Sequence, residues 1–534
     1  MSSKQLIRGT FILTLGTMIS KMLGLFYVIP FTRIVGLEGT TLYQYSYIPY
    51  TIFISIATAG IPLAVSKFIA KYNALEEYAV GRKLFKSGLV VMMCTGIIAF
   101  LVLYFSAPLL STGKDLPAED ITTVIRAVSF ALIVVPFMSM IRGFFQGHQS
   151  MGPSAVSQVV EQIVRIVFVI AGAYIILNIL DGNTVDAVRV ATFAAFIGAI
   201  GGLIVLGWYW FKRKPGLDEL LENDKGTVDI SLKDMYKEIL IYAAPFVLVG
   251  IANPLFQFID QLTFERAMTA IGTSKKAASD AFSILNFQSH KLVIIPVSLA
   301  TAFSLTLVPS ITKAFVENDR KSLNRQLNQT FQVLLFLTLP AAAGLSLLAE
   351  PFYTVFYGPM DLGTEVLRMY APVAILFALY SVTAAILQGI NQQKWTILSL
   401  LTGLLVKLVL NIPLIKLLQT DGAILATSLG YGAAILINLI VIKVFSKYKF
   451  RLVVRRSLLI VIFGGLMLAA SAGVYKLLTG FLSPTKEFQS LIIILVSALA
   501  GGAVYFYFSF KTKLIYFLFG EKVDRLLGKL RLRS

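Results

Sequence analysis

Cysteine, histidine and acid are all scarce in this chain. Cys94, the single cysteine of 534 residues, lies inside an apolar run, so there is no disulfide framework and no thiolate metal cluster, and nothing follows about the redox compartment. The two histidines, His148 and His290, fall in different halves, and the sequence has no HExxH, no Walker A pattern and no pair of intramembrane aspartates. These absences argue against a metalloprotease and an ATP-driven pump. A membrane-embedded transferase would cluster carboxylates or histidines in a loop near the surface, and none do so here. The chain therefore reads as a non-enzyme without catalytic residues, metal ligands or cofactor. Asp and Glu number 28 against 47 Lys and Arg, a formal charge of +19. That excess could suggest nucleic acid, but the basic residues stand in short loops between apolar runs, with no aromatic-interleaved soluble module to hold them. Membrane topology accounts for the charge better.

Apolar side chains are what the chain has in plenty. With 57% hydrophobic residues, 14% charged residues and a mean hydropathy of +0.79, it cannot be a soluble core inside solvated faces. The expected fold class is an all-α polytopic membrane protein. The first apolar run follows a short polar start with Lys4 and Arg8 but continues through Lys21 to about Arg33 without a small-residue cleavage site, so it reads as a retained first helix.

An internal duplication organises the rest. Arg126 to Arg165 recurs 242 residues later as Arg368 to Lys407, with Gln146-Gly147 falling on Gln388-Gly389 and Glu119, Lys83 and Lys71 on Asp361, Arg325 and Lys313. Of nine Lys or Arg from Lys67 to Arg165, four land on another Lys or Arg, where chance would give about one. Asp181-Gly182 and Asp421-Gly422 extend the match with a slip of two residues.

Spanning runs of about 20 residues lie near 9–34, 46–70, 87–111, 122–146, 155–180 and 187–211, then near 239–265, 282–312, 327–356, 365–390, 395–418 and 422–446, with two unduplicated runs near 456–479 and 488–510. The expectation is fourteen helices: two pseudo-symmetric six-helix lobes plus two C-terminal helices. In residue ranges these are an N-lobe (1–211), a cytoplasmic connector (212–238), a C-lobe (239–446), a C-terminal pair (447–511) and a tail (512–534). Charge bias supports this count. Loops expected inside carry Arg82, Lys83 and Lys86, then Lys212, Arg213 and Lys214, then Arg320, Lys321 and Arg325, then Lys443 through Arg456; loops expected outside carry Asp115, Glu119 and Asp120, then Asp181 and Asp186, then Asp361 and Glu365. Lys275 and Lys276 are the exception. Both termini would be cytoplasmic in a cell membrane, and lobes of six spans each share one orientation. In the tail, Val523, Leu526, Leu527 and Leu530 mark one helical face, which suits either an amphipathic helix on an anionic leaflet or a solvated end.

An ionisable group at mid-bilayer costs a few kcal/mol, which keeps the list of candidate functional residues short. Lys21 lies about thirteen residues beyond Arg8, roughly 20 Å along a helix, and calls for an aqueous cavity or a buried ion pair. Arg33 lies near the outer interface. Glu161 and Arg165, at i and i+4, can neutralise each other as a structural pair. Lys407, the repeat mate of Arg165, has no such neighbour and is the better cavity candidate. Pro254, after Asn253, should bend the seventh helix and free a carbonyl near residue 250, as Gly24 and Pro30 should interrupt the first. Asp260 could pair with Lys21, coordinate a cation or anchor at the outer surface. His290 is an ordinary packed histidine unless Lys291 beside it makes it more.

Ser20-Lys21-Met22-Leu23-Gly24 in helix one, Leu307-Val308-Pro309-Ser310-Ile311-Thr312-Lys313 ending helix eight, and the Gln-Gly turns resemble the multidrug/oligosaccharidyl-lipid/polysaccharide exporter superfamily. Within it the chain most resembles the MurJ-type lipid II flippases of Gram-positive bacteria, the YtgP-like branch. The resemblance implies alternating access by two lobes around a cationic cavity for a pyrophosphate and sugar head group, with the last two helices lining a groove for the polyprenyl tail. Proteobacterial members carry Ser-Arg-x-Leu-Gly-x-x-Arg in helix one, which puts the first Arg on Lys21 and the second on Tyr27. Their arginine pair in helix two falls near Phe53-Ile54, and their helix-eight cation near His290-Lys291. The implied substrate-binding set is Lys21, Arg33, His290, Lys291 and Lys407, with Asp260 as ion-coupling candidate. No cofactor is implied; Na+ or H+ coupling or the membrane potential would supply energy. Implied partners are a lipid-linked saccharide, membrane lipids and cell-wall polymerases, with the protein a monomer. The alternatives are a flippase for another lipid-linked oligosaccharide (capsule, teichoic or sporulation-related) and a non-transporting cell-wall scaffold. Export of amphipathic cations would call for acidic cavity residues, which the Lys-rich interior argues against.

Overall fold

Apolar runs of this length leave the backbone no water to bond with, so each N–H and C=O must be satisfied within its own segment, and the chain becomes helix. The computed structural model describes residues 3–58, 60–227, 231–305 and 307–519, all helices and turns with no strand among them. The tail helix proposed around Val523 to Leu530 lies outside the described residues. Ten helical segments among the described residues are long and apolar enough to cross a membrane. Two of them, Leu15–Thr58 and Gln393–Ser446, run to 44 and 54 residues. At 1.5 Å per residue the longer would reach about 80 Å, over twice the ~30 Å hydrocarbon core. Each contains two helices joined across a kink, at Gly36 (φ 68°, ψ −170°) and at Gln419 (φ 53°, ψ −128°). This is a multi-pass, all-helical membrane protein.

The chain forms two compact units, residues up to Thr269 with Thr273–Ser283, and Ala270–Gly272 with Ile284 onward. The first contains α1 (Ser3–Phe26), α2 (Val28–Thr58), α3 (Ile61–Ala74), α4 (Tyr78–Ser111), α5 (Ala118–Ser129), α6 (Ala131–Gly147), α7 (Met151–Tyr174), α8 (Thr184–Glu222), α9 (Leu232–Gly250), α10 (Ala252–Ala270) and α11 (Lys275–Ser283). A buried cluster of Ile61, Val65, Ile69, Leu84, Phe85, Met140, Phe144 and Ile239 joins α3, α4, α6 and α9. The second unit opens with a π-helical turn, Ile284–Ser289, and continues through α12 (His290–Leu305), α13 (Val308–Val316), α14 (Arg320–Leu347), α15 (Ala349–Tyr357), α16 (Asp361–Tyr370), α17 (Val373–Gly389), α18 (Gln393–Ser446), α19 (Arg451–Thr479), α20 (Glu487–Lys511) and α21 (Leu514–Phe519). Here Val333 and Phe336 of α14 pack with Ile460, Phe463 and Met467 of α19, Tyr505 of α20 and Leu518 of α21.

The duplication is visible to the residue. Tyr78 and Arg320, Ala131 and Val373, Gly147 and Gly389, and Met151 and Gln393 begin or end equivalent helices, every pair 242 apart. After each Gln-Gly the chain leaves the helix through a left-handed residue, Gln149 or Asn391, both at φ 56°. The same bonds close both turns, Ser150 N to Phe145 O at 2.9 Å and Gln392 N to Leu387 O at 2.7 Å. Gly147 rests on Ser66 and Ile69 of α3, and Gly389 on Val308 and Thr312 of α13.

Two expectations are corrected. The stretch from Lys212 is not a loop: α8 continues through Pro215 to Glu222, and Arg82 pairs with Asp218 on this extension. Asp224 then accepts from Ala79 N, and Glu77, itself buried, accepts from Thr227, which ties the strap 223–227 to the α3–α4 turn. The compact units divide after Ser283, with α9 packed on α3 in the first. The second span is broken at Gly60 (φ 64°), where a Cβ would meet Ala243 at 3.1 Å.

Gly422 follows the Gln419 turn so closely that a Cβ would run into the Leu414 carbonyl, whereas Gly432 of the same helix has open space around it. Gly422→Ala is expected to lower stability by about 1–3 kcal/mol, and Gly432→Ala to leave it unchanged or raised, by thermal denaturation in detergent.

Candidate functional site

Small residues let α1 lie along α7. A Cβ at Gly16 would meet Ala155 at 2.9 Å and one at Gly24 would meet Gln162 at 3.0 Å, while Thr17 donates to Gln158 at 3.0 Å. Lys21 stands on this helix one turn before Gly24 and is exposed. The interruption expected between Gly24 and Pro30 falls at Tyr27, which divides α1 from α2. Arg33 is exposed three residues before the turn at Gly36.

The structure overturns the Glu161–Arg165 pair. Arg142 of α6 reaches across one turn of α7, donating through Nη2 to Glu161 at 2.7 Å and through Nε to Ser157 at 2.8 Å. Ser157 and Glu161 are themselves i and i+4, so together they accept the guanidinium fork, a geometry that Arg165 on the same helix cannot reach. Arg165 turns instead toward α2. Its Nη2 donates to Tyr43 Oη at 3.2 Å, its guanidinium lies 5.8 Å from the Tyr47 ring centroid, and Tyr43 in turn shares a 3.2 Å hydrogen bond with Tyr27. Sequence reading missed Arg142 because its repeat position holds Ala384 and its carboxylate lies 19 residues away.

The expected bend in the seventh span falls at Ile251, between α9 and α10, two residues ahead of Asn253. Asp260 is buried on α10, and Gln261 beside it donates to the Tyr45 carbonyl at 3.1 Å. At the turn after α4, Lys114 lies 5.2 Å from the Tyr45 ring, and Asp115 N donates to Glu265 at 3.2 Å. Burial, with help from the Arg266 charge, pulls the Lys114 ammonium down to about 8.

In the second unit His290 and Lys291 follow directly on the π-helical turn, a feature that often marks functional positions. The widened turn offers the Gln288 carbonyl to Tyr357 Oη at 3.0 Å, and Tyr353 bonds the Gln288 side chain. His290 Nδ1 shares a 2.9 Å hydrogen bond with Tyr370 Oη, and Lys291 Nζ lies 5.8 Å from the Phe287 ring. Lys407 is wholly buried and donates to Thr427 at 2.6 Å, with buried Asn411 one turn along. Among the described residues no cluster of three or more His, Cys, Asp or Glu is placed to hold a metal.

Comparison with known proteins places this arrangement. The model of a family described as polysaccharide biosynthesis protein matches residues 6–315, and a MatE model matches residues 245–413. The lipid II flippase MurJ of Bacillus subtilis (strain 168) is 49% identical over 99% of both chains. The chain belongs to the polysaccharide biosynthesis protein family, in its MurJ branch. A solved MurJ in an inward closed conformation shares the fold at a TM-score of 0.65 and 18% identity, covering 95% of this chain and 100% of that one. An inward-facing multidrug resistance MATE family transporter of the MOP superfamily follows at a TM-score of 0.63 and 14% identity, covering 82% and 99%. The resemblance drawn from helix one, the Leu307–Lys313 stretch and the Gln-Gly turns agrees with this membership.

A double-mutant cycle checks the re-pairing. Arg142→Ala and Glu161→Gln are expected to couple by about 1–3 kcal/mol, and Glu161→Gln with Arg165→Ala by less than ~0.5 kcal/mol, in thermal or chemical denaturation of the purified protein.

Proposed function

We propose that this chain is a transporter that carries lipid II, a polyprenyl diphosphate-linked peptidoglycan precursor, from the inner to the outer leaflet of the cell membrane by alternating access. The observation that carries the reading is the 49% identity, over 99% of both lengths, to a curated lipid II flippase. The physical case concerns charge. An ion moved from water into a medium of low dielectric constant costs on the order of 20 kcal/mol before relaxation. Fixed cations in a shielded passage replace the lost hydration and lower that cost. Lys21, Arg33 and Lys291 are proposed to make these contacts, with His290 as a hydrogen-bonding neighbour. Lys407 would join them only in a state where it gives up Thr427. The proposed topology puts both termini in the cytoplasm.

No nucleotide site is needed. Each negative charge moved outward down an inside-negative potential gains about 2.3 kcal/mol per 100 mV, which suits a diphosphate cargo. Asp260 is the proposed residue for coupling to an ion gradient. The last two helices, α19 and α20, are proposed to guide the polyprenyl tail, and the carrier is proposed to act as a monomer beside the cell-wall polymerases that consume its product.

Depleting the protein in its host and probing which leaflet holds lipid II tests the reading. Precursor should accumulate in the inner leaflet, and the wild-type gene and Lys21→Arg should release it while Lys21→Ala, at equal membrane abundance, does not. Full activity of Lys21→Ala would remove the cationic role of that residue, and an unaltered precursor distribution in a host without a second flippase would remove lipid II as the substrate.

A further inference from the structure

We propose that Arg165 binds the substrate's diphosphate: a guanidinium caged by tyrosines and relieved of its carboxylate forms an anion site inside the first unit. This rests on the lipid-diphosphate reading above. The first support is the charge balance. Glu161 is engaged by Arg142, so the three ionised groups of this cluster leave one positive charge without a carboxylate. The side chains that the structure places against Arg165 are tyrosines, Tyr43 through its hydroxyl and Tyr47 through its ring. A guanidinium kept charged among phenols and hydrocarbon is costly to hold, and that cost falls when an anion arrives.

The second support is geometry. Arg165 uses Nη2 on Tyr43, while its Nε is enclosed and has no hydrogen-bond partner. Nε and a neighbouring Nη form the edge with which arginine grips phosphate in bidentate fashion, so the unused donor lies on the side a phosphate would take. Tyr43 accepts from Arg165 and can pass its own proton to Tyr27, which leaves the Tyr27 hydroxyl a donor for a second phosphate oxygen. The Tyr47 ring, 5.8 Å from the guanidinium, steadies the plane without neutralising it. Arg165 and Tyr47 both keep partial exposure, so the cage is not sealed.

The third support is placement. Lys21 is exposed on α1 six residues before Tyr27, about 9 Å along the helix axis. The two cations therefore flank one stretch of the α1–α7 contact, a point charge at one end and a fork at the other. The repeat mate Lys407 offers no such edge, since it is wholly buried on Thr427.

A purely structural Arg165, tying α7 to α2 through Tyr43, is the competing account, and ligand discrimination separates the two. The full-length protein in detergent is titrated with undecaprenyl diphosphate and with undecaprenyl monophosphate, and the ratio of the two affinities is read. The wild type should prefer the diphosphate. Arg165→Ala should cut that preference about tenfold, the loss of roughly one strong phosphate contact, and Arg165→Lys should cut it less, keeping the charge but not the fork. If Arg165→Ala does not fold, Arg165→Gln and Arg165→Lys supply the same ratio. An unchanged ratio in the Arg165 variants, whatever happens to overall affinity or melting temperature, overturns the proposal. A wild type that binds neither lipid overturns the transport reading as well, so the two failures are distinct.

Discussion

A positive charge inside an apolar span survives only where a neighbour replaces the water it has lost, and this requirement shapes both units. Arg142 meets it with Glu161 and Ser157, Lys407 with Thr427, and Arg165 with a tyrosine hydroxyl and a ring face. The three solutions differ in what remains. A carboxylate cancels the charge, whereas a hydroxyl only hydrates it. The first arrangement therefore fixes helices, and the Arg165 arrangement preserves a cation within a membrane protein. Lys21 takes a fourth course and stays exposed.

Helix packing provides the frame in which those charges are held. Equivalent helices begin and end 242 residues apart, and the same left-handed turn closes each Gln-Gly. Glycines sit where backbones approach, Gly16 and Gly24 for α1 on α7 and Gly147 and Gly389 for the paired turns. Against that shared scaffold the charged residues diverge: Arg165 corresponds to Lys407, and Arg142 to Ala384. Duplication conserved the turns and left the interiors free to differ.

What could be read from sequence follows the same division. Span positions, the repeat, the interruption of helix one and the bend before Asn253 rest on composition and on residues with strong backbone preferences, and these are local. The ion pair of Glu161 was misread because an i, i+4 neighbour is visible in one dimension and a partner on another helix is not. The extension of α8 to Glu222 was hidden by polarity, since a helix leaving the membrane has the composition of a loop. The π-helical turn before His290 left no sequence signal, because it arises from packing around Gln288. Lys407 looked free for want of a nearby acid in the sequence, whereas in the structure it donates to Thr427.

The proposed cationic role of Lys21 requires this exposed residue to face water and substrate, while Lys407 is enclosed. Cys94 is exposed on α4 and would report in place of any new thiol, so the measurement begins from Cys94→Ala. Lys21→Cys and Lys407→Cys in that background are reacted with a membrane-impermeant thiol reagent, with and without lipid II. The account predicts that Lys21→Cys is labelled and is protected by lipid II, while Lys407→Cys reacts slowly if at all. An inert Lys21→Cys, or one labelled at the same rate with saturating lipid II present, would contradict it.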